Sequence, residues 1–331
     1  MTLSVQLKTR CVARRTSSGL LFPLWLLALL LCGHSSISMA GVHALKDGET
    51  LIGKPTAVVS TDEDSLYTIA LRYRMGAGAV AHANQDVDPW LVGEGTKLTL
   101  PTQLVLPSVE REGIVINLPE MRLYYFPPDL SSVVVYPVGI GRQGWDTPLL
   151  ESRITSIVKN PTWTPPASIH REYKKAGLSL PDVVPAGKDN PLGGYAIRIG
   201  QTDYLIHGTN NPKGVGLRVS HGCIRLYPEH IEELVSLIEP GTSVRIINQP
   251  IKIGRQNDVI YLQAHQPVNG DAYDHSAALK KLISHAENQL TPSELARVKS
   301  AIRQSLKTGE LYSGIPLLID ADIYPISNAA R

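Results

Sequence analysis

From Gly113 to about Asn248 apolar and polar positions alternate in short bursts: "GIVINL", "MRLYYF", "SVVVYPV", "RITSIV", "YAIRIG", "DYLIHG" and "SVRIIN", separated by Gly, Pro and Asn turns. Many short period-two segments of this kind predict the strands of a β-sandwich or barrel-like domain. One period of 3.6 interrupts them. In "PEHIEELVSLIEPG", Pro228 falls in the first turn, acids follow it, and Ile231, Leu234, Val235 and Ile238 share one face, which predicts a helix. Between Asn160 and Gly194 the alternation gives way to a proline-rich insertion. It holds a short basic helix, "SIHREYKKAG", expected to be capped by Ser168 and stopped by Gly177. Long ordered insertions of this kind are often lids or binding loops.

On either side the texture differs. Residues 57–107 read as a strand, two short helices and a closing strand, with Leu66, Ile69, Ala70 and Tyr73 forming one buried stripe. A short linker precedes this unit. Residues 251–331 read as a separate, mainly helical extension without chemistry of its own. Its helix, "TPSELARVKSAIRQSLKTG", has Thr291 as N-cap, Glu294 completing a capping box, Gly309 at the stop, and Leu295, Val298, Ile302 and Leu306 on one side. The predicted fold class is therefore mainly β: a β-sandwich or barrel-like domain over 108–250, a small α+β unit before it and a helical extension after it.

The first 40 residues set the compartment. Lys8, Arg10, Arg14 and Arg15 precede an apolar run from Leu20 to Leu31 and the small residues of "SSISMA", the layout of a secretory signal peptide. Cleavage after Ala40 is expected first and after Ala44 second, and no later segment is apolar enough to span a membrane. Cys32 follows Leu31, where lipid attachment wants a small residue. A formal net charge of +2 argues against a nucleic-acid partner. Of three cysteines, Cys11 and Cys32 leave with the signal segment, so Cys223 has no intramolecular partner. An exported lone thiol risks oxidation, which makes reactivity a better account of it than packing.

Cys223 lies in "RVSHGCIRL", with His221 two residues before it and His207 at the end of the predicted strand "DYLIHG". A thiol needs a base or a positive field to act as a nucleophile. His207, held on a strand, is the candidate base. His221 lies in the same tight turn as the thiol, where backbone geometry matters more than basicity. Successive N–H groups around Gly222 and Cys223 could converge as an oxyanion hole, while Arg225 and Arg218 add charge suited to a carboxylate. A zinc site built from His207, His221, Cys223 and His230 fits no common ligand spacing.

These residues resemble a known family. "HGTNNPKGVGLRVSHGCIRL" is similar to the signature of the YkuD-type L,D-transpeptidases, and the similarity extends over most of 113–252, including "NPTWTPPASI", "LPDVVPAGKDNPLGGYAIRI" and "PGTSVRIINQPIKIG". These stretches resemble the Gram-negative periplasmic members of ErfK and YbiS type. The resemblance implies Cys223 as nucleophile, His207 as general base and the Gly208 backbone carbonyl as the group that orients His207. It further implies that Ser220, His221 and Gly222 shape the turn and that Arg225 binds substrate. No metal or cofactor is implied. The implied donor is a peptidoglycan tetrapeptide stem. The implied acceptor is the C-terminal lysine of an outer-membrane lipoprotein, with a diaminopimelate amine or water as alternatives. The turn "DTPLLESRIT" departs from the family's usual threonine-proline-threonine-glycine. Residues 57–107 resemble a LysM module through "YTIALRY", "ANQDVDPW" and "VGEGTKLTLP"; its usual opening glycine-aspartate turn is replaced by "STDEDSLYT", so a structural spacer is the competing reading.

Overall fold

The computed structural model describes residues 41–257, 259–268, 277, 280, 283–284, 290–308, 314 and 316–319. The expected signal segment, Gly309 and the side chain of Leu306 lie outside the described residues. The described residues open with β1 (Gly41–Ala44), β2 (Leu51–Ile52) and β3 (Thr56–Val59), then α1 (Leu66–Arg72), α2 (Ala77–Ala83), β4 (Lys97–Leu100) and β5 (Leu104–Val105). β3 pairs antiparallel with β4 around the two helices, in the strand, helix, helix, strand order that periodicity suggests. Helix α1 begins at a reciprocal cap: Ser65 Oγ accepts from the Thr68 N–H at 3.1 Å, and the Thr68 hydroxyl accepts from the Ser65 N–H at 2.8 Å. Leu66, Ile69 and Ala70 are buried beneath it. The preceding segment is more than a linker. β1 adds an edge strand to the large sheet, Gly41 opposite Val135 and Ala44 opposite Ser132.

The central domain contains β6 (Gly113–Asn117), β7 (Arg122–Phe126), β8 (Ser132–Pro137), β9 (Ile140–Gly141), β10 (Leu150–Lys159), α3 (Ala167–Lys175), β11 (Tyr195–Ile199), β12 (Leu205–His207), β13 (Arg218–Ser220), β14 (Ile224–Arg225), α4 (Pro228–Leu237) and β15 (Ser243–Ile247). Its main sheet has nine strands in the order β1-β8-β7-β6-β15-β10-β11-β12-β14. One core unites its inward positions: Ile116, Tyr136, Ile197, Ile206 and Ile224 meet Ile231 and Leu234 of α4, all fully buried. Each such side chain contributes about 1.5–3 kcal/mol of transfer free energy. Strands β6 to β8 are apolar on both faces because Val115, Tyr124, Phe126 and Val133 pack on their other side against Ile52, Leu104 and Leu106.

Helix α3 differs from expectation at its start. Ser168 lies inside the first turn, and Pro166 is the N-cap with no side-chain hydrogen bond. The two consecutive prolines keep the backbone extended up to that residue, and the helix starts immediately after it. Its end follows the sequence. Gly177, at φ +71°, lets the Leu178 N–H reach the Tyr173 carbonyl at 2.9 Å and its own N–H reach that of Lys174 at 3.1 Å.

The C-terminal extension is not simply helical. β16 (Ile251–Gln256), β17 (Val259–Ala264) and β18 (Leu317–Ile319) form an antiparallel sheet, on which α5 (Pro292–Thr308) packs Val298, Ala301 and Ile302. The period-two runs "IKIGRQ" and "VIYLQA" account for the two long strands. The expected capping box is present: Thr291 Oγ1 accepts from the Glu294 N–H at 3.3 Å, and Glu294 Oε2 accepts from the Thr291 N–H at 2.7 Å. Nor is the extension separate. Lys252 is fully buried and donates to Glu120 Oε2 at 2.7 Å, tying β16 to the turn before β7.

Candidate active site

β12 and β14 run parallel, with Ile206 opposite Ile224 and His207 opposite Arg225. Because side chains alternate, the two isoleucines enter the core. His207 and Arg225 take the other face, and Cys223, immediately before β14, lies near the Leu205 backbone of β12 and near Arg225. The buried His207 ring places Nδ1 2.6 Å from the Gly208 carbonyl oxygen. A carbonyl can only accept, so Nδ1 carries the proton and Nε2 is left as a base. Burial lowers the imidazole to about 4, helped by the Arg225 charge and opposed by the bond to Gly208. At neutral pH the ring is therefore uncharged.

Cys223 is half-buried. Burial pushes its thiol up, the Leu205 backbone N–H and Arg225 pull it down, and Asp203 raises it again. The thiol and the imidazole are thus both uncharged near neutral pH. Arg225 is itself held below the ordinary guanidinium range by burial, and its Nε is buried without a partner among the described residues. Gly214 makes room for it: a Cβ there would lie 2.6 Å from Arg225 Nη1.

The turn before the thiol is held from within. Ser220 Oγ donates to the Cys223 carbonyl at 2.6 Å and accepts from the Gly222 N–H at 3.2 Å. The Gly222 amide is therefore engaged inside the turn, in place of the open position sequence reasoning gave it. Gly222 sits at φ +103°, and a Cβ would lie 2.6 Å from the Tyr204 ring, so only glycine fits. Thr147, which sequence reasoning missed, donates to the Gly222 carbonyl at 2.9 Å and accepts from the Gly141 N–H at the same distance.

His221 faces the insertion. Its Nε2 lies 2.9 Å from Glu172 of α3, and the same carboxylate oxygen receives Arg142 Nη2 at 2.5 Å. Arg142 Nη2 also lies 3.1 Å from His221 Nε2, so the three side chains form one polar cluster. Its ring packs edge-on against Trp145 at 4.7 Å, and Arg142 lies over the same indole at 5.8 Å. Arg142, Trp145 and Glu172 come from two stretches far apart in sequence, and no local pattern marks them. Arg218 is committed elsewhere: it pairs with Asp146 at 2.8 Å, reaches the Gly141 carbonyl at 3.4 Å and bonds the Val268 carbonyl. Those contacts brace the loop carrying Thr147 rather than leave the guanidinium free.

Residues 111–246 match the family model of the YkuD L,D-transpeptidase catalytic domain. The chain belongs to the L,D-transpeptidase family. It is 42% identical over 276 residues to the probable L,D-transpeptidase YcfS of Escherichia coli K12, covering 82% of this chain and 85% of that one. It is 42% identical over 259 residues to ErfK/SrfK and 43% identical over 247 residues to YbiS of the same strain, both also named as probable L,D-transpeptidases. These matches take in 76% and 73% of this chain and 82% and 80% of the respective relatives.

Proposed function

We propose that Cys223 is the nucleophile and His207 the general base of an acyl transfer from a peptidoglycan tetrapeptide stem to an amine. The observation that carries this reading is the His207 bond to Gly208, which leaves Nε2 unprotonated on the strand paired with the one that follows the thiol. As sulfur attacks the carbonyl of the third stem residue, the thiol proton moves to His207 Nε2. The tetrahedral intermediate collapses, the bond to the terminal D-Ala breaks, and that amine leaves with the proton. An acceptor amine then attacks the thioester, gives its proton to His207, and the C–S bond breaks to return the thiol. The Cys223 amide is the oxyanion donor, since the Gly222 amide is engaged by Ser220. Arg225, half-buried on the same face as His207, is the contact for a stem carboxylate.

The acceptor in this reading is the C-terminal lysine of an outer-membrane lipoprotein, and the enzyme works in the periplasm. Cleavage after Ala40 fits the fold, because it leaves β1 whole, whereas cleavage after Ala44 removes that edge strand. The LysM-like unit is assigned to glycan contact. Its Trp90, 66% exposed, stacks on Tyr67 at a 4.5 Å centroid distance. Purified enzyme, tetrapeptide and candidate acceptors, followed by mass spectrometry of the muropeptides, tests the whole assignment. A lysine-linked product is expected. A 3-3 cross-link or a free tripeptide would replace the acceptor with diaminopimelate or water, and turnover retained in a folded Cys223→Ala variant would overturn the nucleophile.

A further inference from the structure

A cavity of about 210 Å³ lies where three parts of the molecule meet, away from the catalytic turn. Gly78 and His82 come from α2, Arg122 from β7, Gly216 from the loop before β13, and His265 immediately follows β17. Two of its lining side chains are incompletely satisfied. Arg122 is only 5% exposed; Nη2 donates to the Pro101 carbonyl at 2.9 Å, while Nη1 is buried with no partner among the described residues. His265 is 7% exposed, and its Nε2 is likewise buried without a hydrogen bond.

The nearby carboxylate does not answer Arg122. Glu120 Oε1 accepts from Asn117 at 2.6 Å, and Oε2 accepts from Tyr124 and Lys252, each at 2.7 Å. Its charge is thus matched by Lys252, and His265 Nε2 stands 3.8 Å from it, outside hydrogen-bond range. Arg218, also in the lining, is paired with Asp146. The cavity is left with an unmatched guanidinium and an unpartnered ring nitrogen. An unmet buried charge is costly, and a structure keeps one where something else completes it.

We propose that this junction cavity binds a small carboxylate ligand of about free amino-acid size, with Arg122 Nη1 and His265 Nε2–H donating to its oxygens. The volume supports the size. At roughly 30 Å³ per water, the space holds a handful of waters or one such ligand, and it falls short of the roughly 300 Å³ at which drug-sized pockets begin. Burial first, then nearby charges, holds His265 well below the ordinary histidine range, so its ring stays neutral; the Glu120 carboxylate in the same lining is already engaged by Asn117, Tyr124 and Lys252, which leaves the Arg122 guanidinium as the group an arriving anion can pair with. A bound carboxylate would link α2, the main sheet and the C-terminal extension.

The test uses the full Cys223→Ala chain, so that catalysis plays no part and failure of the transpeptidase assignment leaves the result readable. Acetate, D-alanine and L-alanine are titrated at constant ionic strength, with chloride and phosphate as controls, by thermal melting and amide NMR. The carboxylates should raise Tm saturably and move the amides of Gly78, Met121 and Gly216, but not those of Ser220 to Cys223. Arg122→Gln should weaken binding at least tenfold, and His265→Gln severalfold. A difference between acetate and the alanines tells whether the ligand's ammonium is also read. The proposal falls if no saturable change appears, if phosphate or chloride acts equally well, if the moved amides are those of the catalytic turn, or if Arg122→Gln binds as tightly. Should Arg122→Gln not fold, the NMR map and His265→Gln decide.

Discussion

With His207 as the proposed base, its lowered pKa sets where activity should fail in acid. An ordinary histidine near 6.5 is about 3% unprotonated at pH 5, whereas His207, lowered to about 4 by burial and Arg225, is about 90% unprotonated there. The sign follows from the direction of the shift: the base form is present above the folded value and is lost only as pH falls through it. Acyl-enzyme formation should therefore fall by about 10% between pH 7 and 5, against about twenty-fivefold for an unperturbed base. Carbapenem acylation followed by intact-mass spectrometry gives the rate, with circular dichroism at each pH confirming the fold. Arg225→Met removes the second cause of the shift, so the acid limb should move toward neutrality in that variant. A wild-type limb centred near 6.5, or one that Arg225→Met leaves in place, would refute the reasoning.

Stability should respond to acid more than activity does. His230, buried against Tyr136 and Tyr227 with its Nδ1 unpartnered, is also lowered to about 4 by burial, so the unfolded chain takes up its proton first as pH falls below 6.5. His230→Phe should remove about 2 kcal/mol of the stability lost between pH 7 and 5, measured by urea unfolding; an unchanged pH slope would count against it. Lys252→Met leaves Glu120 buried without its cation and should cost about 3–5 kcal/mol, with much of that recovered in the Glu120→Leu/Lys252→Met double variant. Glu172→Gln should loosen α3 from His221 and Arg142, raising KM more than it lowers kcat and increasing hydrogen exchange in residues 167–175. Unaltered exchange there would mean that the helix is held by other contacts.

Local pattern carried much of this architecture. Period-two runs located the strands of the main sheet, the 3.6 period located α4, and the Thr291 and Glu294 box located the start of α5, because each depends on residues within one turn or one strand. The cysteine count and the "SHGC" turn directed attention to Cys223 and His207 before any coordinates. What sequence could not supply depends on distant segments meeting. The edge pairing of β1 with β8, the buried contact between Lys252 and Glu120, and the hold of Thr147 on Gly222 each join stretches separated by tens of residues or more. Charge and hydrogen-bond assignments lay in the same class. Arg218 reads as a substrate arginine until the fold sets Asp146 and Val268 beside it, and the Gly222 amide reads as an oxyanion donor until Ser220 Oγ takes it. Residue type states what a group can do; burial and its neighbours across the fold decide whether it is free to do it.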